Sequence, residues 1–296
     1  MKNDVDAPGR LRFGICTDQN QPWETLRDQW RWYEELGFES VWDCDHFQQP
    51  SRPHGPYYEG WTLLAALAAQ TGRIRVGVLV SCNTFRHPGL LAKEAMTVDH
   101  ISGGRLELGI GAGWYAPEHV AFGIPFPEPA ELVARYREAV EVVDLLLRQD
   151  VTSYDGRYYQ LHDAPFRPRP VQQPRPPLTL GAHGRKMLRI VAEHADRWNS
   201  HGSVDEIRER NAILNDHCAA IGRDPATIIR SLYGWSTLLP ADPWSSTEAF
   251  HEVIGQYRAA GIHEFLIDAP HDGQREIFER IAHEVIPPLR GTAVST

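Results

Sequence analysis

The chain has 296 residues, 42% of them hydrophobic and 23% charged, which is enough for a sizeable core and excludes a disordered chain. Its net charge of -9, with no Lys/Arg run, excludes the basic stripe of a duplex-binding protein, so no nucleic-acid partner is expected. The longest apolar stretch, Trp61–Ala69, is too short to span a membrane and the opening Met1–Arg10 lacks an apolar signal core, so a soluble, cytoplasmic protein is expected.

Short apolar runs alternate with amphipathic ones along the chain. Arg12–Cys16 reads as a strand, and Trp23–Leu36 as a helix with Trp23, Leu26, Trp30, Tyr33 and Leu36 near helical spacing. Gly37 stops it, and Phe38–Trp42 is the second strand. A polar loop, Asp43 to Glu59, precedes a helix over Gly60–Gln70. Ile74–Val80 reads as a strand covered on both faces. Pro88 opens a helix to about His100, Ser102-Gly103-Gly104 turns the chain, and Leu106–Ile110 is the fourth strand.

The rhythm then breaks. Gly111–Pro129 reads as a loop rich in Gly, Pro and aromatics, followed by a helix over Glu131–Leu147. Val151–Tyr154 and Tyr158–Leu161 flank Asp155-Gly156, a hairpin signal, and Ala164–Pro177 is proline-rich. Alternation resumes with strands at Leu178–Leu180, Arg197–Asn199, Ile229–Trp235 and Glu264–Asp268. The helices after them read as Arg185–His194, Val204–Ile221, Thr247–Ala260 and Arg275–Val285. Eight alternations predict an α/β fold, a (β/α)8 TIM barrel formed as a single domain over residues 1–296, with its chief insertion between the fourth and fifth strands.

Barrel chemistry sits at the C-terminal strand ends. Asp45-His46 follows the second strand; histidine titrates near neutrality, and a neighbouring carboxylate can orient it. The competing readings are a solvated loop histidine and a metal cluster with Asp43 and His54, but no HxH or HExxH pattern supports a metal, and none is expected. Gly181-Ala182-His183-Gly184, between a strand and a helix, could bring backbone N–H groups to an anion, or could be a plain tight turn. Gly109-Ile110-Gly111-Ala112-Gly113 lacks the helix of a dinucleotide motif and reads as backbone leaving room for a flat ring. Trp114, Trp198 and Trp235 are candidates to wall a pocket for a planar or apolar ligand. Cys16, Cys44, Cys82 and Cys218 form no CxxC pair and read as reduced thiols.

Several stretches together resemble the luciferase-like flavin and F420 oxidoreductases. They are Leu36 to Phe47 (LGFESVWDCDHF), the run from Leu91 to Trp114 that ends in SGGRLELGIGAGW, Gly123 to Pro127, Asp155 to Tyr159 and His194 to Asn199. The resemblance covers roughly Arg12 to Leu289. Asp45-His46 and Leu79-Val-Ser-Cys-Asn-Thr-Phe-Arg86 resemble the F420-using branch more than the FMN monooxygenases. That branch implies coenzyme F420, with FMN as the alternative, and a homodimer. It implies a non-prolyl cis peptide near Leu79-Val80, and ring contacts from Leu79, Val80, Ser81, Cys82, Ala112 and Gly113, with backbone amides of Val80 to Cys82 on the ring edge. It places the cofactor phosphate on Gly181, Ala182, His183 and Gly184, and gives His46 the substrate proton with Asp45 orienting it. One departure stands out. F420-dependent sugar-phosphate dehydrogenases carry a glutamate where this chain has Trp114, which points to an apolar or aromatic substrate instead.

The expected function is hydride transfer between F420 and a small organic substrate, with His46 exchanging a proton with a substrate oxygen or an alkene carbon. The alternatives are a reduced-FMN monooxygenase, a non-catalytic flavin-binding relative and a metal-dependent barrel hydrolase.

Overall fold

In a computed structural model of the chain, residues 10–291 are described. The strands and helices in chain order begin with β1 (Arg12–Cys16), α1 (Trp23–Glu35), β2 (Ser40–Asp43), α2 (Gly60–Ala68), β3 (Arg75–Val78), β4 (Ser81–Cys82) and α3 (Pro88–Ile101). There follow β5 (Leu106–Gly111), α4 (Ala116–Ala121), α5 (Pro129–Arg148), β6 (Val151–Asp155), β7 (Gln160–Pro165), β8 (Leu178–Gly181) and α6 (Arg185–His194). The chain closes with β9 (Arg197–Ser200), α7 (Val204–Ala220), β10 (Ile229–Gly234), α8 (Thr247–Ala259), β11 (Glu264–Asp268), α9 (Arg275–Arg280) and α10 (Ile286–Gly291).

This alternation is that of a (β/α)8 barrel, and the antiparallel β6–β7 hairpin is inserted between β5 and β8, where the sequence places the chief insertion. Local chemistry explains many of the boundaries. Leu26, Trp30 and Tyr33 put one buried stripe on α1. Ser203 and Glu206 close a capping box on α7, with the Ser203 amide 2.8 Å from Glu206 Oε2. Gly103 and Gly104 take φ values of 66° and 88° in the turn between α3 and β5, a conformation that favours glycine.

The chain divides into two compact units. One takes in residues 10–17, 32–42 and 182–291. Its strands run parallel in the order β2-β1-β11-β10-β9, and Cys16 lies level with both Trp42 and Asp268, which brings those strand ends together. Its core is aromatic: Phe13 stacks on Phe265 at 5.7 Å, and Phe38 on Phe278 at 5.2 Å.

The other unit takes in residues 18–31 and 43–181. In it β5 pairs in parallel with β3, β4 and β8, so Ile110 lies level with both Ser81 and Leu180. Helix α5 buries Leu132, Tyr136, Val140, Val143 and Leu147 along one face.

Three expectations are corrected. The single strand expected over Ile74–Val80 ends at Val78 and resumes as β4 after a break at 79–80. The stretch 111–129 is not all loop, because α4 forms within it. The last helix does not stop at Val285. It widens to a π turn over Ile281–Val285 and goes on as α10. Pro287 and Pro288 supply no N–H to the carbonyls a turn earlier, which accounts for the irregular ladder there.

Candidate active site

His46 leaves the end of β2 with its side chain 16% exposed, and its Nδ1 lies 2.8 Å from Oε2 of Glu118, which is fully buried. The other oxygen of Glu118 accepts the amides of Phe47 and of Gln48, the latter at 2.9 Å. One buried carboxylate of α4 therefore holds both the histidine ring and the backbone that follows it. The His46 ring meets Trp114 edge-on at 5.8 Å and Tyr115 at 6.3 Å. Trp114 is 59% exposed, so an aromatic face stands open beside the histidine. Asp18, at the end of β1, bonds to Gln49 and Tyr57; desolvation pushes its carboxyl up, against the pull of Gln49, His46 and Tyr57.

Asp45 does not orient His46, contrary to expectation. Successive residues point in different directions, and Asp45 turns to Arg86 and to the amide of Cys82, the latter at 2.6 Å. Arg86 also lies 3.5 Å from Glu59 and 3.3 Å from Glu94. One buried guanidinium thus faces three carboxylates. Desolvation pushes Glu94 up to about 7; Arg86 opposes the rise, while Glu59 and Asp45 add to it. The Cys82 amide, expected on a ring edge, is committed to Asp45.

Helix α4 reaches a second way through His119, which is 1% exposed. Its Nδ1 lies 3.0 Å from the Tyr115 carbonyl, which can only accept, so Nδ1 carries the proton. Nε2 therefore accepts from the Thr84 hydroxyl at 2.6 Å, and Thr84 Oγ1 accepts from the Cys82 thiol at 3.0 Å. Burial pushes that thiol up to about 12, in keeping with a donor S–H.

The peptide between Leu79 and Val80 is cis, where the resemblance places it. The room left by the glycines of β5 is taken by protein rather than by a flat ring. A Cβ at Gly109 would stand 2.1 Å from the Val78 carbonyl oxygen, and one at Gly111 would stand 2.5 Å from Val80 Cγ2. One at Gly181 would stand 3.0 Å from the same methyl. Gly113, at φ 95°, lies against Thr84 and Cys82. The three glycines form a socket for Val80, which with Ala112 and Gly113 is half-buried. Beside them, Asn83 is buried and its side-chain amide donates to the Tyr159 hydroxyl. Ser81 is fully buried, and its Oγ accepts from the Trp61 indole at 3.1 Å.

In the other unit, Gly184 is the N-cap of α6 and provides no side-chain cap, and a Cβ there would meet nothing within 4 Å. The first amides of α6 are thus open to an approaching anion. His183 Nδ1 lies 2.9 Å from Ser200 Oγ, and its ring centroid is 4.3 Å from that of His201. Desolvation of its ring, then His201 and Arg210, push His183 down to about 3, so it is an uncharged partner at neutral pH. Ala182 is buried, and its carbonyl accepts from the Trp198 indole at 2.8 Å. Trp198 is fully buried, which corrects its place among pocket residues: it is core. Trp235 is half-exposed and meets His201 edge-on at 5.8 Å.

Among the described residues no group of three or more His, Cys, Asp or Glu is placed to hold a metal ion, and no helix is long and apolar enough to cross a membrane. All four cysteines are free. Sequence reasoning missed Glu118, Arg86 and His119 as parts of the site. It also missed Gln19, which is fully buried and ties the 43–59 segment at Cys44 and Tyr58.

Comparison with known proteins follows the same line. A family model described as luciferase-like monooxygenase matches residues 7–284. An F420-dependent glucose-6-phosphate dehydrogenase of Intrasporangium calvum is 28% identical over 87% of this chain and 92% of its own length. A protein of the same name from Microbacterium testaceum is 36% identical over 72% of this chain, which spans only 64% of that relative. A solved F420-dependent secondary alcohol dehydrogenase, in complex with an F420-acetone adduct, superposes with a TM-score of 0.82 at 19% identity. The superposition covers 95% of this chain and 99% of that one, and it bears on the fold alone.

Proposed function

The chain belongs to the luciferase-like monooxygenase family, and from that premise we propose that it is an F420-dependent oxidoreductase acting on a small apolar or aromatic alcohol or carbonyl compound. The observation that carries this reading is the His46–Glu118 pair beside an exposed Trp114, in the same unit as the Leu79–Val80 bulge. The names of the Intrasporangium and Microbacterium relatives supply the cofactor class.

The residues present fit such a cofactor. Val80, Ala112 and Gly113 offer a half-buried apolar floor for a ring. In the other unit, taken by itself, the uncapped start of α6, with Ala182, His183 and Gly184, offers backbone amides to a phosphate group. When bound, F420 supplies a hydride acceptor or donor at its ring carbon.

The chain's own residues do the rest. His46 exchanges the proton of a substrate hydroxyl, Trp114 presents an apolar face to the substrate and sheds water from it, and Trp235 lines the rim of its own unit. Asp45 acts by holding the Cys82 amide and Arg86, which keeps the 79–82 backbone in place. The departure at Trp114 argues against the sugar phosphate in the relatives' names. We take the chain to work as one domain, as a homodimer, in the cytoplasm.

The test is turnover of oxidised F420 with a panel of secondary and aromatic alcohols and with glucose 6-phosphate. Alcohol oxidation that is lost in His46→Ala is expected. Turnover of glucose 6-phosphate alone would overturn the substrate class, and oxygen uptake with reduced FMN alone would overturn the cofactor.

A further inference from the structure

We propose that Glu118 is a positioning residue that fixes His46 in its Nδ1–H tautomer, leaving Nε2 as the ring nitrogen that takes a proton from a substrate hydroxyl. The proposal rests on the reading of His46 as the proton carrier, and it deepens that reading by naming the atom and what sets it.

Glu118 is fully buried, and both of its oxygens are occupied. Oε1 accepts two backbone amides, those of Phe47 and Gln48, which fixes that end of the carboxylate as an acceptor. Oε2 faces His46 Nδ1 at 2.8 Å. A carboxylate has no proton to give, so the hydrogen in that contact belongs to Nδ1. A neutral imidazole with Nδ1 protonated has its lone pair on Nε2. The ring is held from two directions, because the amides that anchor Glu118 are those of the two residues after His46. The carboxylate therefore cannot swing away from the ring without releasing that backbone. Trp114 and Tyr115 meet the ring edge-on, at 5.8 Å and 6.3 Å between centroids.

In the step this arrangement serves, the substrate O–H bond breaks and an N–H bond forms at Nε2. The imidazolium so made keeps its Nδ1–H on Glu118, and its positive charge faces the carboxylate. The reverse direction returns the same proton from Nε2 to a carbonyl oxygen.

Glu118→Gln provides a sharp variant. The amide oxygen takes the place of Oε1 and accepts the Phe47 and Gln48 amides, so the NH2 group faces Nδ1. An NH2 group can only donate, so Nδ1 must give up its proton and Nε2 must carry it. The size and shape of the side chain are kept.

The experiment is a long-range 1H–15N spectrum of uniformly 15N-labelled, cofactor-free protein at about pH 8, where a free imidazole is neutral. The His46 signals are assigned by their loss in His46→Asn. In the wild type, Nδ1 is expected in the protonated position and Nε2 in the unprotonated one; in Glu118→Gln the two nitrogens are expected to exchange these positions. A wild-type spectrum with Nε2 protonated would overturn the proposal even if the variant failed to fold, and so would a Glu118→Gln spectrum unchanged from wild type. The readout uses no cofactor and no substrate. A failed F420 titration therefore leaves this result standing, and a wrong tautomer leaves the cofactor reading untouched.

Discussion

Gly111 and Val80 contend for one volume: a Cβ at Gly111 would stand 2.5 Å from Cγ2 of Val80. Strand β5 thus carries glycine at this level because Val80, at the break between β3 and β4, fills the space. Gly111→Ala is expected to destabilise the protein by about 1–3 kcal/mol through overpacking. Val80→Ala in the same chain removes the opposing methyl and should recover much of that loss, although each change alone is harmful. Urea unfolding of the two single variants and the double variant checks this. Losses that simply add would show that the two residues do not share the space.

Arg86 faces Asp45, Glu59 and Glu94, and its removal leaves three carboxylates without their common cation. Arg86→Gln is expected to lose about 3–5 kcal/mol at neutral pH, the range for breaking a buried pair from one side. The sign of the pH dependence follows from Glu94, already pushed up to about 7 by desolvation. Arg86 is the group that holds Glu94 down, so without it the native Glu94 carboxyl rises further. A raised native pKa contributes stability that is full below the ordinary carboxylate range and is lost as pH rises through the native value. The deficit of the variant should therefore shrink at about pH 5 and grow at about pH 8. Equal deficits at both would contradict the role of Arg86 as counter-charge.

The order of strands and helices was legible because apolar runs and glycine stops mark them directly, as at β11, where the expected Glu264–Asp268 is the observed strand. His46 stands out in the sequence as a histidine just after a strand end. Its partner does not. Glu118 sits in a six-residue helix opened by Ala116-Pro117, too short to show a period and set in a run of Gly, Pro and aromatics. Asp45 was misassigned because neighbours in sequence were taken as neighbours in space, whereas its cation lies 41 residues on. Trp198 was misplaced for a related reason: a four-residue strand does not reveal which of its side chains turn into the packed layer.

Asp43, at the end of β2, is fully buried, and neither carboxylate oxygen has a hydrogen-bond partner among the described residues. Burial pushes its carboxyl well above the usual range, and Cys44, Asp45 and Glu59 add to the shift. The native acid is therefore neutral where the unfolded one is ionised. Its contribution is fully present below the ordinary carboxylate range and is lost as pH rises toward the native value. Asp43→Asn cannot ionise, so its stability relative to wild type should improve from about pH 4 to about pH 8, by roughly 1.4 kcal/mol for each unit the native pKa is raised. Thermal unfolding at the two pH values measures this. A difference that does not change with pH would contradict it.

Trp114 is 59% exposed, so its loss should leave unfolding within about 0.5 kcal/mol of wild type. Partial burial of its face by a substrate contributes about 1.5 kcal/mol. Trp114→Ala is therefore expected to raise KM for an aromatic alcohol roughly tenfold, with a smaller effect on a short aliphatic one. Equal effects on both substrates, followed by initial rates, would remove Trp114 from the substrate's path.

The most direct measurement is a binding titration of the purified protein with oxidised F420 and, separately, with FMN, followed by absorbance and fluorescence. Saturable binding of F420 with clear preference over FMN is the expected result. Preference for FMN, or binding of neither, would contradict an F420-dependent oxidoreductase.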